Sequence, residues 1–265
     1  MTGISELIDI GVNLTDKRFQ NDIDEVINRA KASHISAMLI TGTSLTSSQK
    51  AITLCQQYPG YLYATTGIHP HDASSMTDTV MEELASLSEQ DCIVAIGETG
   101  LDFNRNFSTP EEQIIAFEQQ IALAKSTRLP LFLHERDATE KQIQLLKPHA
   151  QQLKGAVLHC FTGDKSALFN YLDLGFYIGI TGWICDERRG LALKKLVTEI
   201  PPERLLLETD APYLLPRDLL VKPKKGRNEP ACLQHIATTV ARLRNITIEE
   251  LSLQTTENTR KLFNI

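Results

Sequence analysis

Short apolar runs alternate with longer amphipathic stretches along the chain. Each run is five to seven residues long and is bounded by polar or turn-forming residues, a pattern that predicts a β-strand. The runs are mostly apolar throughout rather than alternating apolar with polar, which is typical of a parallel sheet covered on both faces. The eight predicted strands are residues 7–12, 37–42, 62–68, 92–98, 130–134, 155–161, 176–182 and 204–210.

The stretches between the runs have helical periodicity and recognisable ends. Residues 109–127 open with Thr109, a favoured N-cap residue, and continue with Pro110 at the first helical position. Residues 164–175 close on Gly175, where a helix commonly ends in a left-handed residue. After the eighth run, residues 231–245 and 247–263 predict two more helices.

Eight strand–helix units of about 33 residues predict one (β/α)₈ TIM barrel. We expect residues 1–265 to form this single domain, because no Pro-, Gly- or Ser-rich linker divides the chain. A doubly wound open sheet is the competing architecture. Its nucleotide-binding versions lose support, because the chain contains neither GxGxxG after the first strand nor GxxxxGK[ST].

Composition narrows the cellular setting. The five cysteines form no CxxC pair, so free thiols in a reducing cytoplasm fit better than a zinc finger or a disulfide scaffold. No apolar run approaches the roughly 18 residues that span a bilayer, and no signal peptide is expected. A net charge of −6 argues against bulk attraction to nucleic acid but leaves local patches open.

Five side chains with metal or acid–base chemistry fall at the carboxyl ends of predicted strands: His69, Glu98, His134, His159 and Asp210. In a barrel those ends meet at one mouth, where active sites lie. Imidazole and carboxylate ligands together favour zinc or manganese, and less typically magnesium. The pattern therefore predicts a metal-dependent hydrolase in which Asp210 takes a proton from the attacking water.

The same positions carry a family resemblance over essentially the whole chain. The sequence resembles the TatD family of metal-dependent deoxyribonucleases, within the amidohydrolase-like barrels, on motifs that occur in order: GIHPH (67–71), IGETGLDF (96–103), LHERD (133–137), LHCFTG (158–163), GITGW (179–183), LLLETDAPYL (206–214) and RNEP (227–230). The resemblance implies that Glu98, His134 and His159 bind a divalent metal, magnesium in this family, and that Asp210 is a ligand or the catalytic base. Glu98 and Asp210 are then the catalytic residues, and His69 is a candidate lining residue. It also implies a 3′–5′ exonuclease of single-stranded DNA, with RNA as a further substrate and a role in DNA repair or turnover.

One motif departs from the family pattern. The family usually has Asp-x-His-x-His near its N-terminus, whereas this chain keeps Asp9 and has Gly11 and Asn13 in place of the two histidines. Asn13 offers an amide oxygen and Gly11 offers no side chain. We therefore expect Asp9 and Asn13 to line a site that is poorer in ligands for a second metal.

Basic residues are concentrated in the loops that follow strands four, seven and eight. Residues 101–109, 183–190 and 217–227 hold eight Lys/Arg against four Asp/Glu, a local charge of +4 that suits a phosphate backbone. Aromatic side chains there suit stacking of unpaired bases. The predicted substrate-binding residues are Phe103, Arg105, Trp183, Arg188, Lys224, Lys225 and Arg227.

Two other functions remain open from the residues. The ligand set also suits an amidohydrolase-type enzyme acting on a small molecule or an aminoacyl-tRNA, which turnover of a single-stranded oligonucleotide would distinguish. The missing histidines also leave room for a non-catalytic quality-control partner, which metal titration would test. We expect a monomer that binds single-stranded DNA, and also RNA, and has no membrane association.

Overall fold

Eight parallel strands form one sheet in which every strand pairs with its neighbour in sequence order. The structure is a computed structural model that describes residues 6–223 and 226–265. The predicted barrel is confirmed. The strands are β1 (Leu7–Val12), β2 (Ile35–Ile40), β3 (Leu62–Thr66), β4 (Ile93–Asp102), β5 (Leu131–Arg136), β6 (Ala156–Leu158), β7 (Tyr177–Ile180) and β8 (Leu205–Leu207).

The predicted end of the fourth strand is wrong by four residues. β4 continues past Glu98 because residues from Thr99 to Asp102 pair with Leu133–Arg136 of β5. The extension brings Asp102 to the mouth alongside Glu98.

Helices follow the strands, and their ends agree with the capping signals. Thr109 caps the helix after β4 through the amide of Glu112, and Gly175 follows the helix after β6 with a φ of 79°. The helices are α1 (Ile23–Ala32), α2 (Leu45–Gln57), α3 (Asp78–Leu87), α4 (Pro110–Thr127), α5 (Thr139–Leu146), α6 (Lys165–Asp173), α7 (Leu191–Leu196), α8 (Leu233–Arg244) and α9 (Ile248–Phe263). Within the described ranges, none of them has the length and apolarity to cross a membrane.

The apolar residues form two separate clusters. The larger one joins strand residues to the surrounding helices. The smaller one takes residues from all eight strands, Tyr63 of β3 being partly buried, and includes Leu262 and Phe263 of α9. Because the interior of a small barrel is filled by side chains, we assign the smaller cluster to the barrel interior, closed at one end by α9.

The first and last strands are joined by a short set of contacts around Asp210. The amide of Asp210 donates to Gly11 O (2.8 Å), and the amide of Asn13 donates to Ala211 O (2.7 Å). Asp9, which is fully buried, accepts hydrogen bonds from the amide of Thr209 (2.9 Å) and from its hydroxyl (2.5 Å). These bonds close the barrel and place Asp210 beside Asn13.

Candidate active site

A cavity of about 1140 Å³ opens at the carboxyl ends of the strands. Its floor is organised around one oxygen of Glu98. Glu98 Oε1 lies 3.0 Å from His134 Nδ1 and 2.9 Å from His159 Nε2. Strands β4 and β5 and the end of β6 therefore deliver the three predicted ligands to one point.

The charges within this group stabilise the ionised form of Glu98 and the protonated form of His159. Burial alone would raise the pKa of Glu98, but the charge of His159 and the hydrogen bonds from His134 and His159 outweigh it and hold that pKa well below its ordinary value. Burial lowers the pKa of His159, yet the carboxylates of Glu208 and Glu98 raise it well above its ordinary value. A carboxylate in contact with imidazoles of this kind is a ready site for a divalent cation.

Glu208 is a site residue that the sequence reasoning missed. Its carboxylate is fully buried, lies 3.1 Å from His159 Nδ1, and accepts the amide hydrogen of Cys160 at 2.5 Å. A Cβ atom added to Gly11 or Gly179 would collide with its oxygens. Gly11 thus makes room for the carboxylate of the residue that follows β8. The position of Glu208 two residues before Asp210 in the same motif was the available signal.

The outer nitrogens of two histidines face carboxylates. His159 Nδ1 faces Glu208, and His134 Nε2 lies 3.4 Å from Asp102 Oδ2. His134 Nε2 is buried and has no hydrogen-bond partner among the described residues. A carboxylate behind the histidine is the usual arrangement around a metal-binding imidazole, because it fixes the ring and raises its basicity. The side chains present therefore fit a divalent ion: the ligand atoms of His69, Glu98 and His134 lie within 4.8 Å of one another, and His159 Nε2 reaches the same oxygen of Glu98.

His69 has a different orientation. Its Nδ1 accepts the amide hydrogen of His71 (3.0 Å), and its Nε2 lies 3.5 Å from Glu98 Oε1. Burial lowers the pKa of His69, which favours the neutral ring. Because Nδ1 accepts the His71 amide hydrogen, Nε2 carries the ring hydrogen. His69 in this tautomer points an N–H donor into the cavity.

Asp210 lines the same cavity and is held by Asn13. Asn13 Nδ2 donates to Asp210 Oδ1 at 2.9 Å. Burial raises the pKa of Asp210 to about 7, while the charge of His159 and the Asn13 bond oppose that rise. Asp9 does not line the cavity, because its carboxylate is used in the bonds to Thr209 and to the amide of Gly11.

The cavity is more acidic than the loop composition predicts. Three arginines line it, Arg105, Arg136 and Arg189, against eight carboxylates: Asp72, Glu98, Asp102, Glu135, Asp137, Glu140, Asp164 and Asp210. The expectation of a basic mouth is therefore corrected for the described residues. In the loop after β8, Arg217 is paired with acids outside the cavity, since it lies within 3.6 Å of both Asp186 and Glu187.

The predicted substrate-binding residues divide into three groups. Arg105 and Trp183 line the cavity. Phe103 lies in a neighbouring surface pocket beside α5, and Arg188 is exposed outside the cavity lining near Glu187. Lys224 and Lys225 lie outside the described residues.

Arg227 does not reach the cavity. Its guanidinium donates to Asp22 Oδ2 (2.6 Å), Glu229 Oε1 (2.7 Å) and the carbonyl of Arg18 (2.5 Å). With its donors occupied in this way, Arg227 ties the segment after β8 to α1 rather than offering a phosphate contact.

Other residues at the mouth were not singled out by the sequence. Arg189 lies 5.6 Å from the centre of the Trp183 ring. Phe107 is 68% exposed and meets the His71 ring edge to face at 4.8 Å, so an apolar ring stands free at the rim. The exposure of Phe107 could not be predicted from the sequence pattern, because an aromatic residue in a loop can equally pack against the core.

Comparison with known proteins gives consistent matches over almost the full chain. The family model described as TatD-related DNase matches residues 8–264. A 3′-5′ ssDNA/RNA exonuclease TatD from Klebsiella pneumoniae (strain 342) is 54% identical over 98% of both chains. A TatD-family hydrolase structure from Entamoeba histolytica covers 98% of both chains at a TM-score of 0.89 and 30% identity. A TatD homologue from Escherichia coli K12 covers 99% of both chains with the same TM-score and 28% identity.

Proposed function

Because the chain belongs to the TatD-related DNase family, we propose that it hydrolyses single-stranded DNA and RNA from the 3′ end with a divalent metal. It is a hydrolase of the nuclease class, and relatives about half identical to it carry the name 3′-5′ ssDNA/RNA exonuclease. The observation that carries the proposal is the meeting of His134 and His159 on one oxygen of Glu98, within the cavity that Asp210 lines.

The metal would be held by Glu98, His134 and His159. A divalent ion bound there supplies positive charge that activates water and stabilises the charge developing on the phosphoryl oxygens. Magnesium is the family expectation, and the two imidazoles also suit manganese or zinc. Glu208 keeps the His159 ring in position from behind, and the carboxylate of Asp102 lies 3.4 Å behind His134.

Asp210 acts as the general base in this proposal. Its Oδ1 is used by Asn13, which leaves Oδ2 to accept the proton of the attacking water. A pKa of about 7, raised by burial, makes the carboxylate basic enough for that proton near neutral pH. His69 donates its Nε2 hydrogen to a phosphoryl oxygen.

The substrate strand lies across the mouth. Arg105 and Arg189 contact backbone phosphates, and Trp183 and Phe107 stack on unpaired bases, a contact worth about 1–3 kcal/mol per base. This surface offers backbone and stacking contacts with few groups placed to read base edges, so we expect little sequence preference. A cytoplasmic location, a monomeric state and a role in DNA repair or turnover stay predictions.

Degradation of end-labelled oligonucleotides tests the proposal. Single-stranded DNA, single-stranded RNA and duplex DNA are compared with magnesium, manganese and zinc, using Asp210→Asn as the matched inactive variant. We expect the single strands to shorten from the 3′ end, and Asp210→Asn to slow the reaction by about 10²–10⁴-fold. Intact oligonucleotides together with hydrolysis of a small amide would instead establish the amidohydrolase alternative.

A further inference from the structure

Among the described residues, a second group of side chains of the types that bind metals lies outside the cavity. Cys185 ends the 3₁₀ turn Gly182–Cys185 after β7, Asp218 lies in the loop after β8, and His235 lies in the first turn of α8. Their ligand atoms all lie within 4.8 Å of one another. None of the three lines the catalytic cavity.

The ligand atoms of this group are held by contacts with one another and with α8. His235 Nε2 lies 2.7 Å from Asp218 Oδ1. The Sγ atom of Cys185 lies 3.7 Å from the hydroxyl of Thr239, one turn further along α8. Cys185 is only 1% exposed, so its side chain is fixed by packing, and its Sγ lies within 4.8 Å of the ligand atoms of Asp218 and His235.

We propose that Cys185, Asp218 and His235 form a second metal site, selective for zinc or a zinc-like ion. Thiolate, imidazole and carboxylate are the three side-chain ligands of zinc. Tetrahedral zinc at ordinary bond lengths sets its ligand atoms roughly 3.3–3.8 Å apart, which the observed spacing reaches with small side-chain shifts. A thiolate ligand disfavours magnesium, which prefers oxygen.

An ion can reach this group from solvent, and the proton that it displaces has a place to go. The side chains of His235 and Asp218 are 32% and 39% exposed, so an ion can enter from solvent and water can fill the fourth position. On binding, the Cys185 thiol releases its proton to solvent and the sulfur becomes a thiolate. The Thr239 hydroxyl then donates to that sulfur, which fixes the ligand from behind.

The site would join two loops of the mouth. Cys185 follows Trp183 by two residues in the loop after β7, and Asp218 belongs to the segment that carries Tyr213 and Leu214, both of which line the cavity. An ion held between them would fix one wall of the mouth against α8. Its role is therefore structural and separable from catalysis at Glu98, His134 and His159.

Cobalt substitution tests the site without using activity as the readout. Cobalt bound to a thiolate absorbs in the near ultraviolet through sulfur-to-metal charge transfer, whereas the proposed catalytic ligands are oxygen and nitrogen atoms. We expect this band when the purified full chain is titrated with Co²⁺. It should be lost in Cys185→Ser and kept in Cys92→Ser, whose half-buried thiol lies just before β4.

Two further variants keep the result interpretable. His235→Asn changes a partly exposed side chain and should raise the half-saturating cobalt concentration at least about 10-fold even if Cys185→Ser folds poorly. Cys160→Ser removes the thiol in the cavity and should leave the band unchanged. A wild-type chain with no band at saturating cobalt would overturn the proposal, and so would a band that depends on Cys160 and not on Cys185.

Discussion

At the residue scale, the histidines of the site are defined by the carboxylates behind them. His159 lies between Glu98 on one nitrogen and Glu208 on the other, and both contacts are within 3.1 Å. A neutral imidazole can present a lone pair on one nitrogen only while the other carries hydrogen. When an ion takes the place of the proton on Nε2, Glu208 accepts the remaining hydrogen at Nδ1, so the Nε2 lone pair is available to the ion.

Replacing Glu208 should therefore weaken metal binding without touching the ligands. In Glu208→Gln, a single carbonyl oxygen must serve both His159 Nδ1 and the Cys160 amide, and the new NH₂ group faces a donor. We expect metal affinity to fall about 10–100-fold, measured by calorimetric titration with Mn²⁺. Glu135→Gln, a change at the cavity rim, is the control and should keep wild-type affinity; equal affinities for all three proteins would contradict the role given to Glu208.

The pH dependence of activity should report on Asp210. Asp210 works as a base only when it is ionised, so activity is lost as pH falls through its pKa, which burial raises to about 7 in the metal-free site. A bound cation lowers the pKa of Asp210, so the acidic limb of the pH–activity profile moves to lower pH. The Asn13 hydrogen bond also lowers this pKa, because it stabilises the carboxylate.

In Asn13→Ala the pKa of Asp210 should rise, so the acidic limb of kcat/KM moves to higher pH. The profile is measured at saturating metal, with Asn170→Ala, another amide of the cavity lining, as the control. A limb that stays in place in Asn13→Ala, or moves equally in both variants, would rule out Asp210 as the titrating base.

At the element scale, the segment after β8 is anchored by an ion-pair network around Arg227, a residue that the sequence predicted to bind substrate. Arg227 connects Asp22, the residue before α1, with Glu229 beyond β8, and Arg29 of α1 adds a second contact to Glu229 at 2.7 Å. Such a partly buried network contributes to stability when its donors and acceptors are all matched. Arg227 is therefore an anchor between α1 and the segment that follows β8.

Arg227→Met and Arg189→Met should separate anchoring from substrate binding. Arg227→Met should lower the free energy of unfolding by roughly 1–3 kcal/mol and leave the salt dependence of oligonucleotide binding unchanged. Arg189→Met should leave the free energy of unfolding unchanged. It should reduce the slope of log K against log salt by about 0.7. The measurements are urea denaturation and fluorescence anisotropy. A reduced slope in Arg227→Met would return that residue to the substrate surface.

The sequence predicted elements better than partners. Strand positions followed from apolar runs, and the cap at Thr109 followed from side-chain chemistry, because both signals are local. Glu98, His134 and His159 could be grouped because parallel strands end at one face. Arg227 could not be placed, because its partner Asp22 lies 205 residues away and neither residue lies at a strand end. Glu208 lies two residues before Asp210, but only its contact with His159 shows that it faces the site.

At the scale of the whole molecule, both the net charge and the charge of the cavity are unfavourable for binding a negatively charged phosphate backbone. The chain carries a net charge of −6. Among the described residues, the cavity is lined by eight carboxylates and three arginines. A phosphate backbone approaching this surface meets repulsion that three guanidinium groups do not offset. Divalent cations at the carboxylates would reverse that balance, so metal should govern substrate binding as well as catalysis.

Binding of a single strand to Asp210→Asn should therefore depend strongly on metal. Fluorescence anisotropy of a labelled single-stranded oligonucleotide is measured in EDTA and then across a magnesium or manganese titration. We expect weak binding in EDTA and an affinity that rises with metal, because each bound ion cancels two negative charges at the mouth. An oligonucleotide with an uncharged backbone is the control: stacking on Trp183 and Phe107 remains available to it, so its affinity should change little with metal. If the phosphate-backbone strand binds equally tightly in EDTA, the carboxylates do not repel it, and a basic surface outside the cavity must hold the substrate instead.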